Sequence, residues 1–165
     1  SDAHDPEEVV AMLNRYLQVQ ADVVTKHGGD IDKYVGDELM ARFSGTDMEM
    51  RATQCGVQIV EAVARLNAER PERAIHVGVG VNVGEAVLGA MGSQERMDYT
   101  AIGDTVNMAA RLCSAAKPGE VLLTEAVHDS AQSATGVAFV ANDPIMVKGK
   151  PDPIAIYTAT GSDAS

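Results

Sequence analysis

Apolar side chains recur along this chain in two rhythms, one with the period of a helix and one with the period of a strand. Behind Asp5-Pro6-Glu7-Glu8, the residues Val9, Met12, Leu13, Tyr16, Leu17 and Val23 or Val24 fall at helical spacing. The leading tetrad offers an N-cap acceptor, a proline suited to the first turn and acidic side chains at the helix start. Gly28-Gly29 is the predicted stop. Ile31 to Val35 and Leu39 to Phe43 then read as two strands around a tight turn at Gly36-Asp37, where glycine admits backbone angles that other residues resist. In strict alternation Ile31, Lys33 and Val35 share one face. Thr46-Asp47-Met48-Glu49 reads as a capping box for a second helix, which Val57, Ile59, Val60, Val63 and Leu66 carry to about Ala68.

AIHVGVGVNVGEAVLGAMG, residues 74–92, alternates small and β-branched residues. Strands look like this when another element packs closely on a glycine-thinned face. A fold-back is expected near Val83 to Glu85. A strand over Met97 to Ile102 leads through Gly103-Asp104-Thr105 into a helix holding Val106, Met108, Ala109 and Leu112. EVLLT, 120–124, is a further strand, a short helix starts at Glu125, and PIMVKGKPDPIAIY, 144–157, supplies two strands around a Gly-Lys-Pro turn. Residues 1–160 read as one domain, and Gly161 to Ser165 as a loose tail. Mixed strands and helices with adjacent hairpins predict an α+β sandwich on a largely antiparallel sheet.

Composition narrows the partners. The 165 residues, 45% hydrophobic and 22% charged, suffice for one domain with a real core. A net charge of −11 argues against nucleic acid, which is held by neutralising phosphates over a broad surface. Cys55 and Cys113 stand far apart, a pattern that makes neither a disulfide framework nor a zinc site and suits a reducing compartment. No apolar run reaches the roughly 18 residues of a membrane span. The expectation is a cytoplasmic segment without membrane contact, which a longer and even membrane-anchored protein could carry.

Three places could carry chemistry. Asp37 beside glycine fits an ordinary surface turn, but Lys33, four residues earlier, projects from a side shared with apolar residues. Its ammonium either snorkels from an edge or meets a buried partner. Asn107 and Arg111 are one helical turn apart on one face; they are either solvated or placed to hold the oxygens of a phosphate, for which an arginine fork beside an amide is suited. Lys148 and Lys150 sit in a flexible turn that serves either solubility or a phosphate tail.

The order of these pieces is distinctive. DKYVGDELMARF, then GVGVNVGEAVLGAMGS, then RMDYTAIGDTVNMAARL, then VKGKPDPIAIY resembles the class III nucleotidyl cyclase catalytic domain across nearly the whole chain. The resemblance implies a ferredoxin-like palm that works as a head-to-tail homodimer, closing ATP or GTP into a 3',5'-cyclic nucleotide at the interface. It implies Asp37 as one of two metal-binding aspartates for a pair of Mg²⁺ or Mn²⁺ ions. Lys33 and Thr100 are implied as base readers, Asn107 and Arg111 as transition-state residues, and Lys148 as a triphosphate contact, with Lys150 second to it. A lysine donor with a threonine hydroxyl matches the adenine edge, so ATP is the expected substrate and adenylate cyclase the expected activity.

One departure stands out. The family opens on a strand carrying the first metal aspartate, followed by roughly Asp-x-x-Gly-Phe-Thr, whereas SDAHDPEEVV resembles what lies just downstream. Neither Asp2 nor Asp5 substitutes. The first strand of the family domain is therefore expected upstream of Ser1, together with a fused or controlling regulatory domain. The rival expectation is a catalytically silent cyclase-like domain that dimerises or regulates. HGGDI, 27–31, opens like a diguanylate cyclase signature without its continuation. GVGVNVG lacks the spacing and the following helix of a dinucleotide loop.

Overall fold

A computed structural model describes residues 5–162. The first helix, α1 (Pro6–Lys26), begins as its sequence dictates: Asp5 accepts the Glu7 N–H at 3.3 Å and Pro6 fills the first turn. It stops at Gly28, whose φ of +79° leaves the helical region. The second helix, α2 (Met48–Glu69), packs across it, and Tyr16, Val24, Cys55, Ile59 and Val63 form their shared core. Asn67 locks this layer to the next stretch of chain. Its Oδ1 accepts from Tyr16 Oη at 2.6 Å and from the Ile75 N–H at 2.9 Å, while its Nδ2 donates to Ile75 O at 2.8 Å.

Between the helices run β1 (Asp30–Val35) and β2 (Glu38–Arg42), an antiparallel hairpin that lays Ile31, Leu39 and Ala41 on the α1–α2 core. After α2 come β3 (Val79–Val81), the hairpin β4 (Val87–Ser93) and β5 (Arg96–Ile102), and then α3 (Asp104–Ala115). The chain closes with β6 (Val121–Thr124), α4 (Glu125–Ala131), β7 (Val137–Ala141) and β8 (Ile156–Gly161).

These last strands build a four-stranded sheet in the order β3-β6-β8-β7, with β3 parallel to β6 and the other pairs antiparallel. Strand alternation divides its residues between two cores. Val121, Leu123 and Ala159 meet Val57 of α2 and Val127 of α4, whereas Leu122 and Ile156 meet Leu112 of α3. The sheet is thus sandwiched, as an α+β architecture requires.

Glycine sets how closely α3 lies on that sheet. A Cβ on Gly80 would come within 2.5 Å of Ala109 O and Cys113 N and 2.8 Å of Leu112 Cβ. Backbone atoms cannot swing aside as a flexible side chain can, so Gly80→Ala is expected to destabilise the domain by about 2–3 kcal/mol. Chemical denaturation with unchanged m-value measures it.

The structure departs from the sequence reading in several places. Thr46-Asp47-Met48-Glu49 makes no capping box: Asp47 is the N-cap at φ +57° and its side chain makes no capping bond. Arg51 secures this end instead, donating to Ser44 O at 2.5 Å and Thr46 O at 3.0 Å. The stretch 74–92 bends at Gly84, but β3 and β4 do not pair with each other; β3 joins β6 and β4 joins β5. Strand β7 has no counterpart in the predicted elements. The two strands expected over 144–157 reduce to an Ile145–Ile154 bridge followed by β8. That last strand takes in Gly161, the first residue of the expected tail, and the Ser162 N–H donates to Gly136 O at 2.9 Å. The rest of that tail, 163–165, and Asp2 lie outside the described residues.

Candidate active site

The β1–β2 ladder slips between Ile31, opposite Ala41, and Lys33, opposite Met40, leaving Asp32 as an extra residue. A bulge of this kind re-aims side chains and breaks alternation. Ile31 stays on the α1–α2 core, and Lys33, paired with Met40, belongs to the other face. The shared face expected for Ile31 and Lys33 is therefore corrected; Lys33 keeps only Val35 beside it in alternation.

Asp32 is the buried group at this bulge. Its side chain is 0% exposed, and its Oδ1 accepts from Arg42 Nε at 2.6 Å and from the Ala101 N–H at 3.2 Å. Its Oδ2 accepts the Thr100 hydroxyl in a short hydrogen bond, and Thr100 itself is 2% exposed. A carboxylate with this burial is tolerated because every bond is made and a guanidinium neutralises it. Lys33 and Thr100 thus lie on neighbouring strands, β1 and β5, tied together through Asp32.

Helix α3 carries the second group. Its first turn is pinned by Asn82, whose Nδ2 donates to Thr105 O at 3.0 Å and whose Oδ1 accepts from Thr124 Oγ1 at 2.9 Å. Met108 and Leu112 are buried, which turns Asn107 and Arg111 outward, both exposed. The loop 145–154 lies along this helix: Arg111 Nη2 donates to Met146 O at 3.4 Å, and Lys150 Nζ pairs with Asp104 Oδ2 at 3.2 Å. Asn107, Arg111, exposed Lys148 and half-buried Lys150 therefore border one surface, with Lys150 already committed to Asp104.

Asp37 stands exposed at the hairpin tip beside Gly36, whose φ is +61°. Burial first, and then the Glu38 carboxylate, push the Cys113 thiol up. Cys55, buried in the α1–α2 core, is pushed to about 12 by desolvation. Both cysteines are free, as their separation implied.

No cluster of three or more His, Cys, Asp or Glu side chains able to hold a metal occurs among the described residues. Asp37 offers one hard oxygen donor, which is not enough for an ion pair. Residues 5–162 do not complete a two-ion site by themselves.

Comparison with known proteins resolves what such a surface belongs to. The profile of the adenylate and guanylate cyclase catalytic domain matches residues 1–161. The chain belongs to that family. Among its relatives are the adenylate cyclase of Anabaena cylindrica, 32% identical over 95% of this chain, and the terminal-differentiation specific adenylate cyclase of Dictyostelium discoideum, 32% identical over 92%. This chain spans 33% of the first protein's length and 7% of the second's. Its fold is similar to the adenylyl cyclase CyaB from P. aeruginosa, at 30% identity and a TM-score of 0.86 over 98% of this chain and 86% of that one. The guanylyl cyclase Cya2 is equally similar, at 32% identity and a TM-score of 0.85 over 98% and 85%. The cyclase palm expected from the sequence is therefore present. No helix among the described residues is long and apolar enough to cross a membrane.

Sequence reasoning named Lys33, Asp37, Thr100, Asn107, Arg111 and Lys148 as candidates, and it did not single out Asp32 or Arg42, which the structure joins to Thr100 and to each other. A strand read in strict alternation gives Asp32 no reason to be buried. The one available signal was Asp32 and Arg42 on opposite strands of a short hairpin, a charge pair that alternation leaves unexplained.

Proposed function

We propose that this domain converts ATP to 3',5'-cyclic AMP and pyrophosphate at sites shared between two head-to-tail copies. The ribose 3'-oxygen attacks the α-phosphorus and loses its proton, the bond to the β-phosphate oxygen breaks, and pyrophosphate leaves with those electrons. The α3 surface supports this reading best. It presents the Asn107 amide and the Arg111 fork to solvent with the Lys148 loop lying against them, a set of donors suited to a phosphate on which charge is building.

Overall likeness does not choose the base, because an adenylyl and a guanylyl cyclase are equally similar. The choice rests on Lys33 and Thr100. An ammonium donates to adenine N1, and a hydroxyl accepts from the N6 amino group.

The shared site is supported by the β4–β5 hairpin, a ribbon that pairs with no further strand among the described residues. It exposes Val87, Leu88, Met91, Met97 and Tyr99, and since Val87 and Leu88 point to opposite faces, both faces need cover. Mg²⁺ or Mn²⁺ would take Asp37 together with a further carboxylate, since a pair of ions needs more hard oxygen donors than one side chain offers.

The test is turnover by the full-length protein with ATP or GTP and either ion. Cyclic AMP is expected in large excess over cyclic GMP. No cyclic nucleotide from either substrate would leave a silent module, and an excess of cyclic GMP would remove Lys33 and Thr100 as adenine readers.

A further inference from the structure

We infer that Asp32 is a positioning residue that makes Thr100 selective for adenine by holding the hydroxyl proton. The inference rests on the base-reading role proposed above for Thr100 and goes one step deeper. A threonine hydroxyl by itself does not discriminate between the two purines: it accepts from the N6 amino group of adenine or donates to O6 of guanine by a simple rotation. What fixes the choice is whatever already holds its one proton.

In this fold the proton is held. The Thr100 hydroxyl donates to Asp32 Oδ2, and its alternative acceptor, Ala101 O, stands at a poor 3.4 Å. A carboxylate only accepts, so this bond has one polarity, and charge assistance makes it the strongest on offer to a hydroxyl. Asp32 cannot turn away, because Arg42 Nε on β2 and the Ala101 N–H on β5 fix its Oδ1. Its side chain is fully buried and Thr100 is covered in the single chain, so water does not compete for the proton. A base meets Oγ1 only after the side chains that cover Thr100 move, while Asp32 stays held by Arg42 and the Ala101 N–H. The oxygen then offers lone pairs and no proton. Adenine N6 is satisfied there, whereas guanine O6 faces lone pairs against lone pairs. Asp32 is the residue left over at the β1 bulge and Lys33 follows it directly, so one sets the hydroxyl and the other supplies the ammonium from the same short stretch.

The substitution Asp32→Asn reverses one bond and keeps the others. Its carbonyl retains Arg42 and Ala101 N–H, which fixes the amide orientation, and its NH₂ then donates to Thr100 Oγ1. The hydroxyl proton is released toward the base. In the full-length protein the ratio of kcat/KM for ATP over GTP is expected to fall at least about tenfold, with part of the change coming from faster GTP turnover. Thr100→Val, measured alongside, is expected to lower the ratio without any gain in GTP turnover, and Thr100→Ser is expected to keep it. A purely structural role for Asp32 would depress both substrates equally and leave the ratio where it was, which overturns the inference. If Thr100→Val lowers the ratio and Asp32→Asn does not, the inference falls and the base-reading role survives. If neither moves it, the base-reading role falls as well. Should Asp32→Asn not fold, Asp32→Asn with Arg42→Gln removes both charges together and is read by the same ratio.

Discussion

Arg111→Ala in the full-length protein is expected to lower kcat for cyclic AMP formation by about 10²–10³, with KM moving far less. The asymmetry follows from where the side chain sits. Arg111 is exposed on α3, and its one described bond is a long contact to Met146 O at 3.4 Å. Nothing else among the described residues engages its fork, which leaves the guanidinium for a group that arrives with the substrate. If that group is the α-phosphate at the moment its charge grows, the interaction is worth most in the transition state and little in the ground state. Truncation spares the fold, because Met108 and Leu112 hold α3 from beneath and Asn82 pins its first turn. The stability change is accordingly expected within about 0.5 kcal/mol. Arg111→Lys keeps a charge without the planar fork and should recover only part of the rate. A variant whose KM rises at constant kcat would place Arg111 in uniform binding of the triphosphate and end its transition-state role.

How legible this was in the sequence depended on the length scale of each interaction. Local features carried through: Asp5-Pro6 starts α1, Gly28 ends it, Gly36 turns the hairpin, and Met108 with Leu112 puts Asn107 and Arg111 outside. Each is decided within one or two turns of chain. Pairing was less legible. Nothing near β3 says that its partner is the parallel β6, some forty residues on, or that β4 belongs to β5. The Thr46–Glu49 capping box did not form: Asp47 takes the N-cap position, and Arg51 gathers carbonyls around that end, among them Gly28 O at 3.3 Å and His27 O at 3.2 Å, from a segment distant in sequence. At the site itself, family resemblance supplied the residues that would touch nucleotide. Asp32 touches other protein groups, and its position depends on a one-residue slip in a ladder that alternation does not encode.

Mixing chains that carry Asp37→Ala with chains that carry Arg111→Ala is expected to restore about a quarter of wild-type activity from two nearly inactive proteins. The number follows from symmetry. Random exchange makes half of the dimers mixed, and each mixed dimer pools both lesions in one site while leaving the other intact. If Asp37 and Arg111 of the same chain served the same site, every site in the mixture would carry one lesion and no activity would return. The structure gives this outcome a physical basis. Among the described residues no hydrogen bond or ion pair joins the hairpin tip to the Asn107–Arg111 face, and Asp37 is exposed with nothing local to hold. An exposed carboxylate and an exposed fork on one chain, together with an apolar exposed β4–β5 ribbon, are what two half-sites and a surface joining them would require. Rescue must also track dimerisation, falling on dilution as mixed dimers dissociate, since a monomer contains neither site complete. Absence of rescue in a mixture whose mixed dimers are verified by differential tagging and co-purification would return both residues to a single chain, and the head-to-tail arrangement would fail with it.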